Sequence, residues 1–162
     1  MTYDPSSAPY QGAVEAAIHW LSSLHRKGWK NAYVDLYHNL VAEEDRGVLS
    51  RLDDETMECM SINMNEWLLA EGDIHARGGM RRINDYVLSP AGLHLNAAQR
   101  DWLQQLGQRP LRLYDVTNVV PGQHMTLCDA LDKEAEPVTV QERSGTQNMK
   151  PGALLGCRVL RV

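Results

Sequence analysis

An α+β fold is predicted by this sequence, with an N-terminal helical bundle packed on a small C-terminal antiparallel β-sheet or partly open barrel. Two observations lead to that prediction. Apolar residues recur at helical spacing as far as residue 107, and from residue 108 they fall in short β-branched runs separated by turns. We therefore expect a helical region over residues 1–107 and a β-module over residues 108–162. The two regions are expected to share one core, because four short strands must bury an apolar face.

The front half of the chain carries three predicted helices. Apolar spacing predicts a helix over residues 10–27, which Gly28 is expected to end. Asn31, a favourable cap, predicts the start of the second helix. The third should begin near Asp53 or Asp54, whose carboxylates suit the positive end of a helix. Its methionine-rich stripe, which we expect to pack in the core, comprises Met57, Met60, Met64, Trp67 and Leu68.

Between the third and the last predicted helix the pattern is broken by turns. Three glycines and three arginines over residues 72–85 predict a loop that runs into a short helix. A turn is expected at residues 89–92. Asn96 and Gln99 form a capping-box pattern at the start of the last helix, and Gly107 is expected to end it. The apolar residues assigned to the short helix are Met80, Ile83 and Val87.

Four strands are predicted after Pro110, over residues 111–120, 125–128, 138–142 and 154–162. Their connections contain the Pro, Gly and Asp residues that turns favour. Connections this short allow only antiparallel pairing. The last predicted strand reaches Val162, so it either closes the barrel or continues in a longer polypeptide.

Composition indicates a soluble globular protein, since 43% of the residues are hydrophobic and 23% are charged. No apolar run could span a bilayer and no signal-peptide pattern opens the chain, so we expect a cytoplasmic protein without a membrane partner. Three widely spaced cysteines argue against a disulfide framework and against a cysteine-based zinc site. The net charge of -5 is unlike the basic surface typical of nucleic-acid binding.

The β-region carries the patterns Y-x-V-x-x-V-x-P-G, M-x-L-x-D-x-L, V-x-V-x-E-R-S-G and K-P-G-x-L-L-x-x-R-V. Together they resemble a β-module of largely uncharacterised bacterial proteins, some of which carry a cysteine-rich zinc tail of the SEC-C type. The resemblance implies a bacterial module that recurs beside other domains, and it implies no particular activity. The zinc tail is absent from this sequence, so no zinc role is implied. The matching residues are Tyr114, Val116, Val119, Pro121, Gly122, Met125, Leu127, Asp129, Leu131, Val138, Val140, Glu142, Arg143, Ser144, Gly145, Pro151, Gly152, Leu154, Leu155, Arg158 and Val159.

The most distinctive polar group follows the third predicted strand, at Glu142, Arg143 and Ser144. Together with Asp129 and Arg158 it can form a recognition surface for a carboxylate or phosphate, or the pocket of a small hydrolase or transferase. In the structural alternative, Asp129 accepts hydrogen bonds from turn amides and Glu142 forms a cross-strand pair with an arginine. The sequence favours this structural interpretation.

Basic residues concentrate in residues 72–82, where Arg77, Arg81 and Arg82 adjoin glycines. Such a segment can present amides and guanidinium groups to a phosphate or nucleic acid. No Walker or G-x-G-x-x-G motif accompanies it. The favoured alternative is that these arginines pair with acidic residues, for instance those at positions 43–45.

The histidines and cysteines show no metal-binding or nucleophilic pattern, and no H-E-x-x-H spacing occurs among the six histidines. His25 falls on the apolar stripe of its helix, which favours a packed, hydrogen-bonded histidine over a metal ligand. His124 and Cys128 would lie roughly 13 Å apart on an extended strand, because each residue adds about 3.3 Å. That separation is too large for proton transfer between them.

These observations favour a non-catalytic bacterial cytoplasmic protein that binds another protein, without a cofactor or metal ion. The first alternative is a small hydrolase or transferase that uses Glu142, Arg143 and Ser144 with Asp129. The second is nucleic-acid or phosphate binding through the basic segment, which is not favoured. The residues predicted for binding are Arg77, Arg81, Arg82, Asp129, Glu142, Arg143, Ser144 and Arg158.

Overall fold

The computed structural model describes residues 8–49, 51–76 and 78–161, and the chain divides into a helical unit ending at Gln108 and a β unit, Arg109–Arg161. The first unit holds helices and a short hairpin, and the second holds an antiparallel sheet, so the predicted α+β class is confirmed. The shared core stays a prediction. Within the described residues, no helix has the length and apolar character needed to cross a bilayer.

Amphipathic helices build the first unit. Their inward faces supply its buried side chains, among them Leu21 of the first helix, Leu36 of the second and Leu103 of the last. The helices are α1 (Ala13–Leu24), α2 (Arg26–Leu40), α3 (Arg46–Leu49), α4 (Asp54–Glu71), α5 (Ile83–Val87) and α6 (Ala97–Gln108), with a 3-10 turn at Glu43–Asp45.

The junction between α1 and α2 differs from the prediction. The chain leaves the helical conformation at His25, with φ -122° and ψ 28°, and α2 begins at Arg26. Gly28 and Asn31 therefore lie inside α2 and neither ends nor caps a helix. A Cβ atom on Gly28 would lie 2.9 Å from Cγ1 of Ile74, so this glycine allows a neighbouring strand to approach the helix closely.

A two-stranded antiparallel hairpin replaces the loop predicted before the short helix. Its strands are β1 (Asp73–Ala76) and β2 (Gly79–Arg82), with Ile74 buried against the helices. Gly78 and Gly79 have φ values of 100° and 116°, a region that favours glycine. Met80 lies exposed on β2 and not on a helix, which corrects the prediction.

Two predicted helix starts are confirmed in atomic detail. The side chain of Asp53 accepts a hydrogen bond from the amide of Thr56 at 2.8 Å and caps α4. At α6, Oδ1 of Asn96 accepts from the amide of Gln99 at 2.8 Å. The side chain of Gln99 in turn accepts from the amide of Asn96 at 3.2 Å. This reciprocal pair is the predicted capping box.

The methionine stripe of α4 enters the core only in its second half. Met64 and Leu68 are buried, whereas Met60 and Trp67 are half-buried. Met57 is 38% exposed. The core prediction is therefore confirmed for the C-terminal half of the stripe and wrong for its beginning.

Gly107 lies inside the last turn of α6 and does not end it. A Cβ atom there would lie 2.6 Å from Cγ of Asn84, a buried residue of α5. Asn84 donates a hydrogen bond through Nδ2 to the carbonyl of Leu103 at 2.7 Å. The glycine therefore allows α5 and α6 to approach until this buried amide reaches a backbone acceptor.

The β unit is an open four-stranded antiparallel sheet with strand order β5-β4-β3-β6. One face of the central strands forms its core, where Tyr114, Val116, Met125 and Leu127 are buried. In the described part of the chain the sheet does not close into a barrel, and the last strand ends at Cys157, short of the predicted Val162. The strands are β3 (Arg112–Val120), β4 (His124–Asp129), β5 (Val138–Gln141) and β6 (Leu154–Cys157), with a 3-10 turn at Gly145–Gln147.

Gly107→Ala is expected to destabilise the helical unit by about 1–3 kcal/mol, because the added methyl overpacks the Asn84 contact. Gly47→Ala is the matched control: it also lies in a helix, but no atom lies within 4 Å of its Cβ position. That change should leave stability within about 1 kcal/mol or raise it slightly. Urea unfolding followed by tryptophan fluorescence measures both, since every tryptophan precedes residue 108. Equal effects of the two substitutions would contradict the packing argument.

Candidate functional site

Exposed leucines gather at one end of the sheet in the β unit. Leu113 points away from the core because side chains alternate along β3 and its neighbour Tyr114 is buried. Leu113 is paired with Gly156 of β6, and its carbonyl accepts a hydrogen bond from the amide of Ala130 at 2.9 Å. The register thus brings Leu113, Gly156 and the segment leading to Leu131 to the same end of the sheet.

A shallow cleft of about 480 Å³ lies among these residues, and we call it the leucine cleft. Leu111 is 53% exposed, Leu113 38% and Leu131 84%. The lining residues are Leu111, Arg112, Leu113, Asp129, Leu131, Asp132 and Gly156. An apolar centre with charged groups at its rim is the usual anatomy of a protein-binding patch.

Asp129 fixes the loop that forms one wall of the leucine cleft. Its carboxylate is buried, and Oδ1 accepts hydrogen bonds from the amides of Leu131 and Asp132, both at 2.9 Å. Oδ2 accepts from Nη1 of Arg112 at 2.6 Å. The Arg112 hydrogen bond, followed by those two amides, lowers the pKa of Asp129 below its usual value. The predicted bonding of Asp129 to turn amides is therefore observed, with Arg112 as an additional partner.

The carboxylate of Glu142 stabilises a different turn, the one that follows β5. Its Oε1 accepts hydrogen bonds from the amides of Ser144 at 2.8 Å and Gly145 at 3.1 Å. The side chain therefore folds back on its own loop, which differs from the predicted cross-strand pair with an arginine. Thr146, which is fully buried, joins this loop to the β3–β4 turn by accepting from the amide of Gly122 at 2.9 Å.

The structure does not bring Glu142 and Ser144 to the site of Asp129. The amide of Glu142 bonds to the carbonyl of Gln123 at the start of β4, whereas Asp129 is the last residue of that strand. Six residues of extended chain separate these two points by roughly 20 Å. The pocket required by the hydrolase or transferase alternative is therefore not formed.

Two further arginines of the β unit, Arg158 and Arg143, were predicted to contribute to a binding site with Asp129. Arg158 donates a hydrogen bond to the carbonyl of Arg109. Arg143 is exposed in the loop that follows β5. The carboxylate oxygens of Asp129 accept hydrogen bonds from Arg112 and from two amides.

In the helical unit, Arg82 of the basic segment contacts a helix end and a neighbouring acid. Arg82 donates to the carbonyl of Glu71, the last residue of α4, and lies 3.9 Å from the carboxylate of Asp73. These partners differ from the predicted ones at positions 43–45. Arg81 is exposed on β2, and Arg77 lies outside the described residues.

A second cleft, of about 430 Å³, lies beside Arg82 and also includes Arg100, Asp85 and Gln104. Arg100 donates to the carbonyl of Leu88, which follows α5. Both guanidinium groups thus satisfy carbonyls at helix C-termini, where positive charge is favourable. The positions of Arg82 and Arg100 are therefore explained by their bonds to helix ends. The carboxylates of Glu71 and Asp85 in the cleft, and of Asp73 beside it, balance their positive charge.

His25 is packed and hydrogen-bonded, as predicted. Its ring centroid lies 4.6 Å from that of Trp20, and Nε2 lies 3.2 Å from the hydroxyl of Tyr86. Burial lowers the pKa of His25 below its usual value. In the ranges that the structure describes, no group of three or more His, Cys, Asp or Glu side chains could hold a metal ion.

Comparisons with protein-family profiles, with curated proteins and with solved structures gave no match for this chain. Sequence reasoning named Asp129 but missed the leucine cleft that it supports. The cleft could have been predicted from the alternating side-chain directions along Leu111-Arg112-Leu113-Tyr114. If Tyr114 and Val116 face the core, Leu111 and Leu113 must face outward.

Asp129→Asn is expected to lower the thermal midpoint of the β unit at neutral pH, because it removes the charge that Arg112 and the turn amides stabilise. The pKa of Asp129 is lower in the folded state than the value of about 3.9 in the unfolded state. The charged carboxylate therefore contributes its full stabilisation above that pH. This stabilisation is lost as pH falls through the folded pKa. The difference in thermal midpoint between the wild type and Asp129→Asn should therefore shrink in acid. NMR signals of Tyr114, the one aromatic residue of the unit, follow the transition.

Asp115→Asn provides the matched control for this measurement. Asp115 forms an ion pair with Lys133 at 3.0 Å, and both side chains are exposed. Pairs of this kind contribute at most about 1 kcal/mol. An equal loss of stability in the two variants, or a deficit for Asp129→Asn that does not change with pH, would contradict the role given to Asp129.

Acidification from pH about 7 to about 5 is expected to destabilise the helical unit through His25. Its folded pKa lies below the unfolded value of about 6.5, so the stability it contributes is complete above that value and lost as pH falls. The variant His25→Gln should show a flatter dependence of urea stability on pH. His38→Gln, at an exposed histidine of α2, should retain the wild-type slope.

Proposed function

We propose that this protein is an interaction protein that binds another protein through the leucine cleft. The observation that carries this proposal is that Leu131 is 84% exposed while its backbone amide is held by the buried carboxylate of Asp129. Exposed single leucines are ordinary on protein surfaces, but adjacent ones lining a concave surface mark interaction sites. The resemblance of this region to a bacterial β-module that recurs beside other domains also supports the proposal, and with it a bacterial, cytoplasmic setting.

Rigid presentation is what makes the cleft suitable for binding. Covering a leucine contributes about 1.5–3 kcal/mol when its whole side chain becomes buried, and association must overcome the cost of ordering flexible groups. The Asp129 carboxylate already orders the loop of Leu131 by bonding to its amide. Little further ordering is then needed when a partner docks, so more of the burial energy is available for affinity.

The partner is expected to insert an apolar side chain between Leu113 and Leu131. The sheet face beneath it is open because Gly156 has no side chain, and no atom lies within 4 Å of its Cβ position. Arg112 and Asp132 stand at the rim, where they can contact polar groups of the partner. The expected ligand is therefore an amphipathic protein segment with one or more aliphatic or aromatic anchors.

Site-specific photo-crosslinking in living cells tests the proposal. A photoreactive residue at Asp132, on the rim of the leucine cleft, should give discrete protein adducts. The same residue at Thr139, an exposed position of β5, should not. Adding Leu113→Asp to the Asp132 probe should reduce the adducts about tenfold or more, since a central apolar anchor commonly contributes over 1.4 kcal/mol.

Adducts that are equally abundant from both probe positions would indicate non-specific contact and contradict the proposal. So would adducts that persist in the Leu113→Asp variant. Circular dichroism of that variant confirms that the exposed substitution leaves the fold intact.

A further inference from the structure

Among the residues that the structure describes, strand β6 forms one edge of the sheet and has a hydrogen-bonded neighbour on the β3 side only. The amide of Val116 donates to the carbonyl of Ala153 at 2.9 Å, which identifies Ala153 as a residue whose backbone groups face β3. Backbone direction alternates along an antiparallel pair, so Leu155 and Cys157 also face β3. Leu154 and Gly156 consequently direct their N–H and C=O groups toward the open edge.

The two edges of the sheet are protected differently. At the other edge, β5 follows Pro137 and Glu136 and presents the polar residues Thr139 and Gln141. Proline, charge and polar side chains are common devices that discourage strand addition. Lys150 and Pro151 also precede β6 and Arg158 follows it, but the strand itself, Leu154–Cys157, has no charged residue, and Leu154 is 62% exposed. The edge of β6 is thus available for pairing with another strand.

We propose that β6 pairs with β6 of a second copy of this chain, antiparallel about a twofold axis at Leu155, so that the two sheets become continuous. In this register Leu154 of each copy lies opposite Gly156 of the other. The backbone N–H and C=O groups of Leu154 and Gly156 both point toward the open edge. Each Leu154–Gly156 pair therefore forms two backbone hydrogen bonds across the junction. The inference goes beyond binding by the leucine cleft and does not require it.

Side-chain shape favours a second copy as the occupant of this edge. Leu154 and Gly156 lie on the same outer face of β6, and the space at the Cβ position of Gly156 is empty. A leucine from the opposing strand can occupy that space, with Leu113 on its far side. The twofold axis repeats this fit, and no charged residue of β6 meets a like charge across the junction.

The dimer is expected to depend on protein concentration. A junction between two four-residue strands belongs to the small, transient class of interfaces, which bury less than about 1,200 Å². A slip of one residue between the copies would place Leu154 opposite a residue whose backbone groups face β3, so the hydrogen bonds of the junction would not form. Association should therefore be reversible, with edge-facing residues of the two copies opposite one another.

Sedimentation velocity on the full chain over a range of concentrations tests this inference. The wild type should shift from 18.2 kDa toward twice that mass as concentration rises. Leu154→Lys places a charge at the edge, and Gly156→Val fills the space required by the opposing leucine. Both should remain monomeric with an unchanged circular dichroism spectrum, because Gly156 has an ordinary φ and open space around it. Thr139→Lys, the matched change on β5, should associate like the wild type.

Amide hydrogen exchange of the wild type gives a second measurement that needs no substitution. Protection of the amides of Leu154 and Gly156 should rise with protein concentration, while that of Thr139 and Gln141 stays constant. A wild type that remains monomeric at its highest soluble concentration would overturn the inference. A dimer that survives both β6 substitutions, or that protects the β5 amides instead, would overturn it as well. None of these outcomes decides whether the leucine cleft binds another protein, which the crosslinking measures separately.

Discussion

The buried carboxylate of Asp129 is the group on which the proposed binding surface of the β unit depends. It ends β4, accepts from the amides of Leu131 and Asp132, and bonds to Arg112 on the neighbouring strand. A carboxylate in this position is stable only while all of its partners remain in place, since an unpaired buried charge is costly. The same contact therefore fixes the strand end and the direction in which Leu131 projects.

Much of the fold follows from local patterns in the sequence. The β unit was predicted closely because alternating apolar residues and turn residues act over short distances, and its strands begin within a residue of the expected positions. The caps at Asp53 and Asn96 were predictable for the same reason, since each bonds to an amide three residues ahead. These features depend on neighbouring residues in the chain and require no knowledge of tertiary packing.

Features that depend on distant partners were not predictable in this way. Gly28 and Gly107 resemble helix terminators in sequence, but each is required by a side chain far away in the chain, Ile74 and Asn84 respectively. The short hairpin β1–β2 was missed because glycine and arginine are also typical of loops. The polar residues near Asp129 and Glu142 were recognised as turn-forming, yet only the strand register shows that they lie at opposite ends of β4.

Gly156 contributes to both surfaces of the β unit for one physical reason. The absence of a side chain opens the floor of the leucine cleft between Leu113 and Leu131, and it also leaves room for Leu154 of an opposing copy. In the proposed dimer that second leucine would occupy the space at Gly156, which is also the floor of the cleft. Occupancy of the cleft and pairing of β6 are then thermodynamically linked, because each changes the environment of the other and the coupling must act equally in both directions. A residue with a side chain at this position would reduce the space available to both proposed contacts, so a substitution of Gly156 should weaken both of them.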